Sequence, residues 1–166
     1  MPMPVSEKNF LEKIASDIPG ISGYREREQR RETDRRIREF LANRLDDGRA
    51  SLNALRNKAT DAGAFKALDA IGRLDRTLQK SVSSLRYADY GFSGLFDAVK
   101  IGEAELDRIY AYDEALVADV VGLSDALGAA GGTDPDEASL VALAGSADKL
   151  DLRIARRREI FEQPKV

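Results

Sequence analysis

Along most of this chain apolar residues recur in alternating steps of three and four. One row reads Leu41, Leu45, Gly48, Leu52, Leu55 and Ala59. A second runs Leu95, Val99, Gly102, Leu106, Ile109, Asp113, Leu116, Val120, Leu123 and Leu127. A third gives Leu140, Leu143, Ala147, Leu150, Ile154, Arg157 and Phe161. This spacing holds one stripe of an α-helix against one partner, as bundles and coiled coils require. Between the first two rows, Phe65, Leu68, Ile71, Leu74, Leu78, Val82 and Leu85 share a further helix face.

The breakers set the boundaries. Ser6 offers a cap ahead of Phe10, Leu11 and Ile14, and Pro19-Gly20 with Ser22-Gly23 ends that short segment. No proline interrupts the chain from Tyr24 to Asp61, and the three-four phase crosses Gly48 unbroken, so one long helix is expected there, bent at that glycine. Gly63 suits a helix C-cap, Gly91, Ser93 and Gly94 break the next pattern, and Gly131-Gly132 ends the third. Asp134 as N-cap, Pro135 at the first helical position and Glu137 closing a capping box open the last. The expected elements are a short helix over 6–17 and long helices over 24–61, 64–90, 95–129 and 135–162. Four long helices with short connections pack as an all-α, antiparallel up-down-up-down four-helix bundle, a single domain with a short N-terminal helix. The second long helix is shorter than the first. Arg25–Arg36 therefore extends to the end where the Tyr90–Gly94 turn and the C-terminal arginines arrive, and Phe10, Leu11 and Ile14 can fold back to cover it.

Composition removes whole classes of chemistry. With 166 residues the chain can bury a core without staples, and it contains neither cysteine nor histidine. That excludes disulfides, thiolate metal sites, thiol nucleophiles, imidazole bases and the Glu-x-x-His sites of di-iron bundles. No calcium loop or phosphate-binding glycine loop is present, and no apolar run approaches the roughly 20 residues that span a bilayer. The N-terminus lacks the pattern of a signal peptide, and a soluble cytoplasmic chain is expected. No catalytic residue, cofactor, metal or small-molecule substrate is assigned.

The net charge of −3 is unevenly spread: residues 97–137 hold eleven acids against Lys100 and Arg108, whereas residues 149–166 hold six basic residues against three acids. Intramolecular charge matching is the simplest reading. Residues 25–39 carry seven arginines but also five acids, many three or four residues apart, as in Glu28–Arg31 and Glu32–Arg36. Phosphate binding needs unmatched positive charge, so this is read as a self-paired helix face and nucleic acid is not an expected partner. An anionic membrane surface is the alternative partner, reached through helix 6–17 and the basic bundle end. Against it stand Glu7, Glu12 and Asp17 on that helix, which make a bundle cover the better reading.

Two features stand outside core building. Four of the eleven aromatics, Tyr87, Tyr90, Phe92 and Phe96, fall within ten residues among glycines, a composition that plugs a bundle end or forms a partner pocket. Asp113 interrupts an apolar row, and a buried carboxylate needs an arginine or a tyrosine hydroxyl. Arg157 also interrupts a row, but is expected near the opposite end, so the two are not paired.

Ile18-Pro19-Gly20-Ile21-Ser22-Gly23-Tyr24, followed by Arg27-Glu28, Arg31-Glu32, Asp34, Arg38 and Leu41, forms one motif. Tyr90-Gly91-Phe92-Ser93-Gly94-Leu95-Phe96-Asp97 with Glu105-Leu106-Asp107-Arg108-Ile109-Tyr110 forms another. Over residues 10–117 the chain resembles an uncharacterised family of bacterial all-helical proteins with an IPGxxGY start. The resemblance implies a helical bacterial protein in a membrane-stress or phage-shock-like setting, and carries no established activity. Both motifs fall at one end of the expected bundle. Gly23, Tyr24, Arg27, Arg31, Tyr87, Tyr90, Phe92 and Phe96 are therefore the candidate interaction residues, with Asp113 as a buried polar residue. The expected function is a non-enzymatic interaction or scaffold protein that binds a protein partner or self-associates.

Overall fold

The computed structural model describes residues 5–23, 27–88, 102–134 and 136–162. Five helices stand among them: α1 Val5–Ile14, α2 Arg27–Asp61, α3 Phe65–Arg86, α4 Glu103–Gly131 and α5 Glu137–Glu162. α2 to α5 form the four-helix bundle, running alternately up and down, and α1 lies against α4.

Hydrogen bonds from side chains set the neighbours. Arg49 Nε donates to Asp75 at 2.9 Å and Arg86 Nη2 to Asp46 at 2.5 Å, which makes α2 and α3 an antiparallel hairpin. Tyr112 Oη donates to the Arg153 carbonyl at 2.7 Å in the second hairpin, α4 and α5. The hairpins lie side by side. Ser124 Oγ reaches the Arg44 carbonyl at 2.8 Å and Lys58 Nζ, further along α2, reaches the Gly131 carbonyl at 3.4 Å, so α2 and α4 are parallel neighbours; Arg44 also reaches Asp125 at 2.8 Å. Thr77 on Asp148 (3.1 Å) and Lys80 on Asp151 (2.6 Å) make α3 and α5 the other parallel pair. The apolar rows meet in the middle, where Ile37, Leu41, Leu45, Leu74, Leu78, Leu116 and Val120 are wholly or nearly buried. Each such side chain contributes roughly 1.5–3 kcal/mol by leaving water.

Gly48 has a packing role. α2 runs through it without a break, and a Cβ there would stand 2.8 Å from Leu127 Cδ1. The glycine lets α2 approach α4. Gly63, at φ +63°, ends α2: its N–H bonds Thr60 O (3.1 Å) and the Ala64 N–H bonds Ala59 O (2.8 Å), the paired closure that a left-handed glycine permits.

Several boundaries differ from the sequence reading: α1 ends at Ile14, short of residue 17, and α4 begins at Glu103 behind an extended Gly102, so the row from Leu95 does not run through Gly102 as one helix. α3 ends at Arg86, leaving Tyr87 beyond the helix. The side chain that caps α5 is Asp136, not Asp134: its Oδ2 accepts the Ser139 N–H at 2.9 Å and the Ser139 hydroxyl at 2.6 Å. Either aspartate precedes the helix, but only Asp136 stands three residues before an N–H and a hydroxyl that can both reach back. Among the described residues no helix is long and apolar enough to cross a membrane.

Candidate functional site

The three-four row of α2 continues backward from Leu41 through Arg38 to Asp34. Charged residues thus occupy core positions on α2, as Asp113 does on α4 and Arg157 on α5. The bundle brings all four to one level. Arg157 Nε and Nη2 donate to Asp113 Oδ1 and Oδ2 at 2.7 and 3.0 Å, and Arg157 Nη1 donates to Asp34 Oδ1 at 2.5 Å. Arg38 Nε donates to Asp34 Oδ2 at 2.8 Å, and its Nη1 to the Leu85 carbonyl at 2.9 Å. None of the four is more than 4% exposed. Among the described residues the layer holds two guanidiniums and two carboxylates, and the two-pronged geometry is the strong form of this contact.

The expectation that Asp113 and Arg157 lie at opposite ends is corrected. α4 ends at Gly131 and α5 begins at Glu137, and the two charges stand nearly equal distances from those ends. Antiparallel pairing therefore brings them together.

A second polar group sits on the α1 side. The Thr33 hydroxyl donates to the Gly23 carbonyl at 2.8 Å, and Arg36 Nη1 donates to the Pro19 carbonyl at 3.0 Å, so the loop after α1 is tied to α2. Gly23 has φ +93°, and a Cβ on it would stand 2.5 Å from Glu7 Oε1 and 2.9 Å from Tyr110 Oη. At Gly20, φ +80°, a Cβ would stand 2.9 Å from the Arg36 guanidinium. The motif glycines therefore have a steric reason that the apolar pattern does not reveal. Glu7, Arg30 and Thr33 are buried here, and burial draws the Arg30 guanidinium below its ordinary pKa while nearby Tyr110 acts in the opposite direction. Phe10 packs on Tyr110 with ring centroids 4.8 Å apart.

The proposed interaction residues divide accordingly. Gly23 is buried on the α1–α4 side; Arg31 is exposed on α2, and Arg27 is the first residue of α2. Tyr87, the residue after α3, is 72% exposed. It borders a cavity of about 350 Å³ lined by Arg38, Leu85, Ile154 and Arg157 among others. Tyr24, Tyr90, Phe92 and Phe96 lie outside the described residues. The structure thus places Gly23 and Tyr87 at one end of the bundle without bringing them into one pocket. Glu7, Arg30, Asp34 and Arg38 were not assigned a site role from sequence. For Asp34 and Arg38 the signal was present as a four-residue spacing in phase with Leu41.

Among the described residues, no group of three or more carboxylates is placed to hold a metal ion. Comparison with family models, with curated proteins and with solved structures finds no match to this chain.

Proposed function

We propose that this chain is a non-enzymatic interaction module, a rigid helical bundle whose Tyr87 end receives a protein partner. One observation carries the reading. An exposed tyrosine lines a cavity together with Arg38 and Arg157, both buried and held by carboxylates. Partner anchors favour such places, where an aromatic ring and desolvated arginines meet an opening that one side chain can fill. The buried charges themselves are engaged: both oxygens of Asp34 and both of Asp113 accept from arginine, so the layer supports the cavity wall. The membrane alternative needs the apolar face of α1 at the surface, whereas Phe10 and Ile14 are buried.

Affinity capture from the native organism with the chain and its Tyr87→Ser variant tests this. The variant is expected to lose the partner while keeping its helical circular dichroism. Equal capture by both chains would remove Tyr87 from the site.

A further inference from the structure

α2 outruns α3. Arg38 donates to the Leu85 carbonyl and Arg86 reaches Asp46, so residues 27–36 of α2 run past the end of α3. That stretch, Arg-Glu-Gln-Arg-Arg-Glu-Thr-Asp-Arg-Arg, includes no apolar residue. So short a helix is marginal in water by itself, and this one has no apolar face of its own to bury. What keeps it helical comes from its neighbours, on two sides. Towards α1, Thr33 and Arg36 donate to the carbonyls of Gly23 and Pro19 at 2.8 and 3.0 Å. Towards the charged layer, Asp34 accepts from Arg157 at 2.5 Å and from Arg38 at 2.8 Å. Arg38 then reaches the last turn of α3, beside Tyr87. Every link from the loop after α1 to the Tyr87 cavity is therefore a hydrogen bond or a turn of α2.

We propose that α1 and its loop, residues 5–23, form a strap that assembles the Tyr87 cavity. Docked, the strap holds the start of α2 helical and keeps Asp34 in the layer. Phe10 fastens it, packed on Tyr110 one turn of α4 before Asp113, and the Lys13–Glu114 pair adds a second point of attachment. Released, the strap takes the Gly23 and Pro19 carbonyls with it, and α2 frays back to Ile37, where its apolar row begins. Asp34 then leaves the layer, and Arg38 and Arg157, which line the cavity, each lose a carboxylate oxygen. This is an order–disorder step of one segment, a common way of switching a binding surface. The inference rests on the reading of that cavity as the partner site and names its regulation. Linkage makes the effect reciprocal: an occupant of the cavity tightens the strap by the same factor by which the docked strap tightens binding.

Native-state hydrogen exchange of the full chain tests the proposal. Amides of residues 10–14, 29–36 and 154–157 are expected to share one opening free energy, below that of residues 52–59 in the other half of the bundle. Phe10→Leu, a milder change than truncation to alanine, should speed exchange in all three segments together. The chain has no cysteine, so Lys13→Cys with Glu114→Cys, at side chains that already pair, can be bridged by a short bis-maleimide to fasten α1 to α4. Closing that bridge should slow all three segments by at least roughly tenfold. A bridge that slows residues 10–14 alone overturns the proposal. So does exchange at residues 29–36 or 154–157 that ignores Phe10→Leu. These measurements need no partner, so they decide the strap independently of the Tyr87 reading, which fails only if partner capture ignores Tyr87.

Discussion

Arg157 and Asp113 meet through two hydrogen bonds, at 2.7 and 3.0 Å, in the interior of the bundle, and the third arm of the guanidinium reaches Asp34. Removing one partner from such a layer strands a buried charge, which costs about 3–5 kcal/mol. Arg157→Met should therefore lower stability by that amount in urea denaturation. Arg157→Met with Asp113→Leu removes one cation and one anion together and leaves the Asp34–Arg38 pair in place. The double variant should recover most of the loss. A single-variant cost below about 1 kcal/mol, the scale of a surface pair, would contradict this account of the layer.

Gly23 gives the second prediction. Its φ of +93° disfavours any L side chain, and a Cβ would press on Glu7 and Tyr110. Gly23→Ala should lose about 1–3 kcal/mol from backbone strain alone. Gly145, on α5, has open space beside it. Gly145→Ala should instead gain about 0.5–1 kcal/mol from helix propensity. The two substitutions are chemically identical, so opposite shifts in the denaturation midpoint isolate the local geometry.

The alternating rows of Leu41–Ala59, Leu106–Leu127 and Leu140–Ile154 were sufficient to place the long helices, because burial of one face has a fixed period. The charged layer was half legible. Asp113 and Arg157 interrupt rows and so announce themselves, but their pairing depends on how two helices slide past each other, which is set by where α4 ends and α5 begins. Asp34 and Arg38 were hidden by their surroundings: in a stretch holding seven arginines and five acids, two buried charges look like the exposed ones. The side-by-side hairpins, with α2 parallel to α4, were not legible either, since a three-four row says that a helix has a partner and not which one. Gly48 shows the same limit. Its place in the row was visible, whereas its reason, the approach of Leu127, belongs to α4.

Asp136 predicts a pH dependence confined to the start of α5. The hydrogen bond from the Ser139 hydroxyl, then that from the Ser139 backbone, holds its carboxyl below the usual range. Folding thus lowers this pKa, so the cap adds stability at and above the ordinary carboxylate range. The contribution fades as pH falls through the lowered value. Asp136→Ala should exchange its α5 amide protons faster than the unaltered chain at neutral pH, and the difference should close in strong acid. Asp136→Asn, which can still accept the Ser139 N–H, should keep slow exchange at both. A gap that persists unchanged into strong acid would rule out the carboxylate as the cap.

Phe10 separates a structural role for α1 from a membrane role. It is fully buried, it packs on Tyr110, and Lys13 on the same helix pairs with Glu114. If α1 is part of the fold, Phe10→Ala removes a large core side chain and should cost about 3–5 kcal/mol. A membrane-seeking helix would give a different result. Its apolar face would be spare in water, so the same variant would fold as stably as the unaltered chain and lose only binding to vesicles of anionic lipid. Urea denaturation without lipid and vesicle flotation therefore move in opposite ways under the two readings. The burial of Phe10 and Ile14 predicts the first: a lower urea midpoint for Phe10→Ala, and for the unaltered chain no flotation that depends on α1.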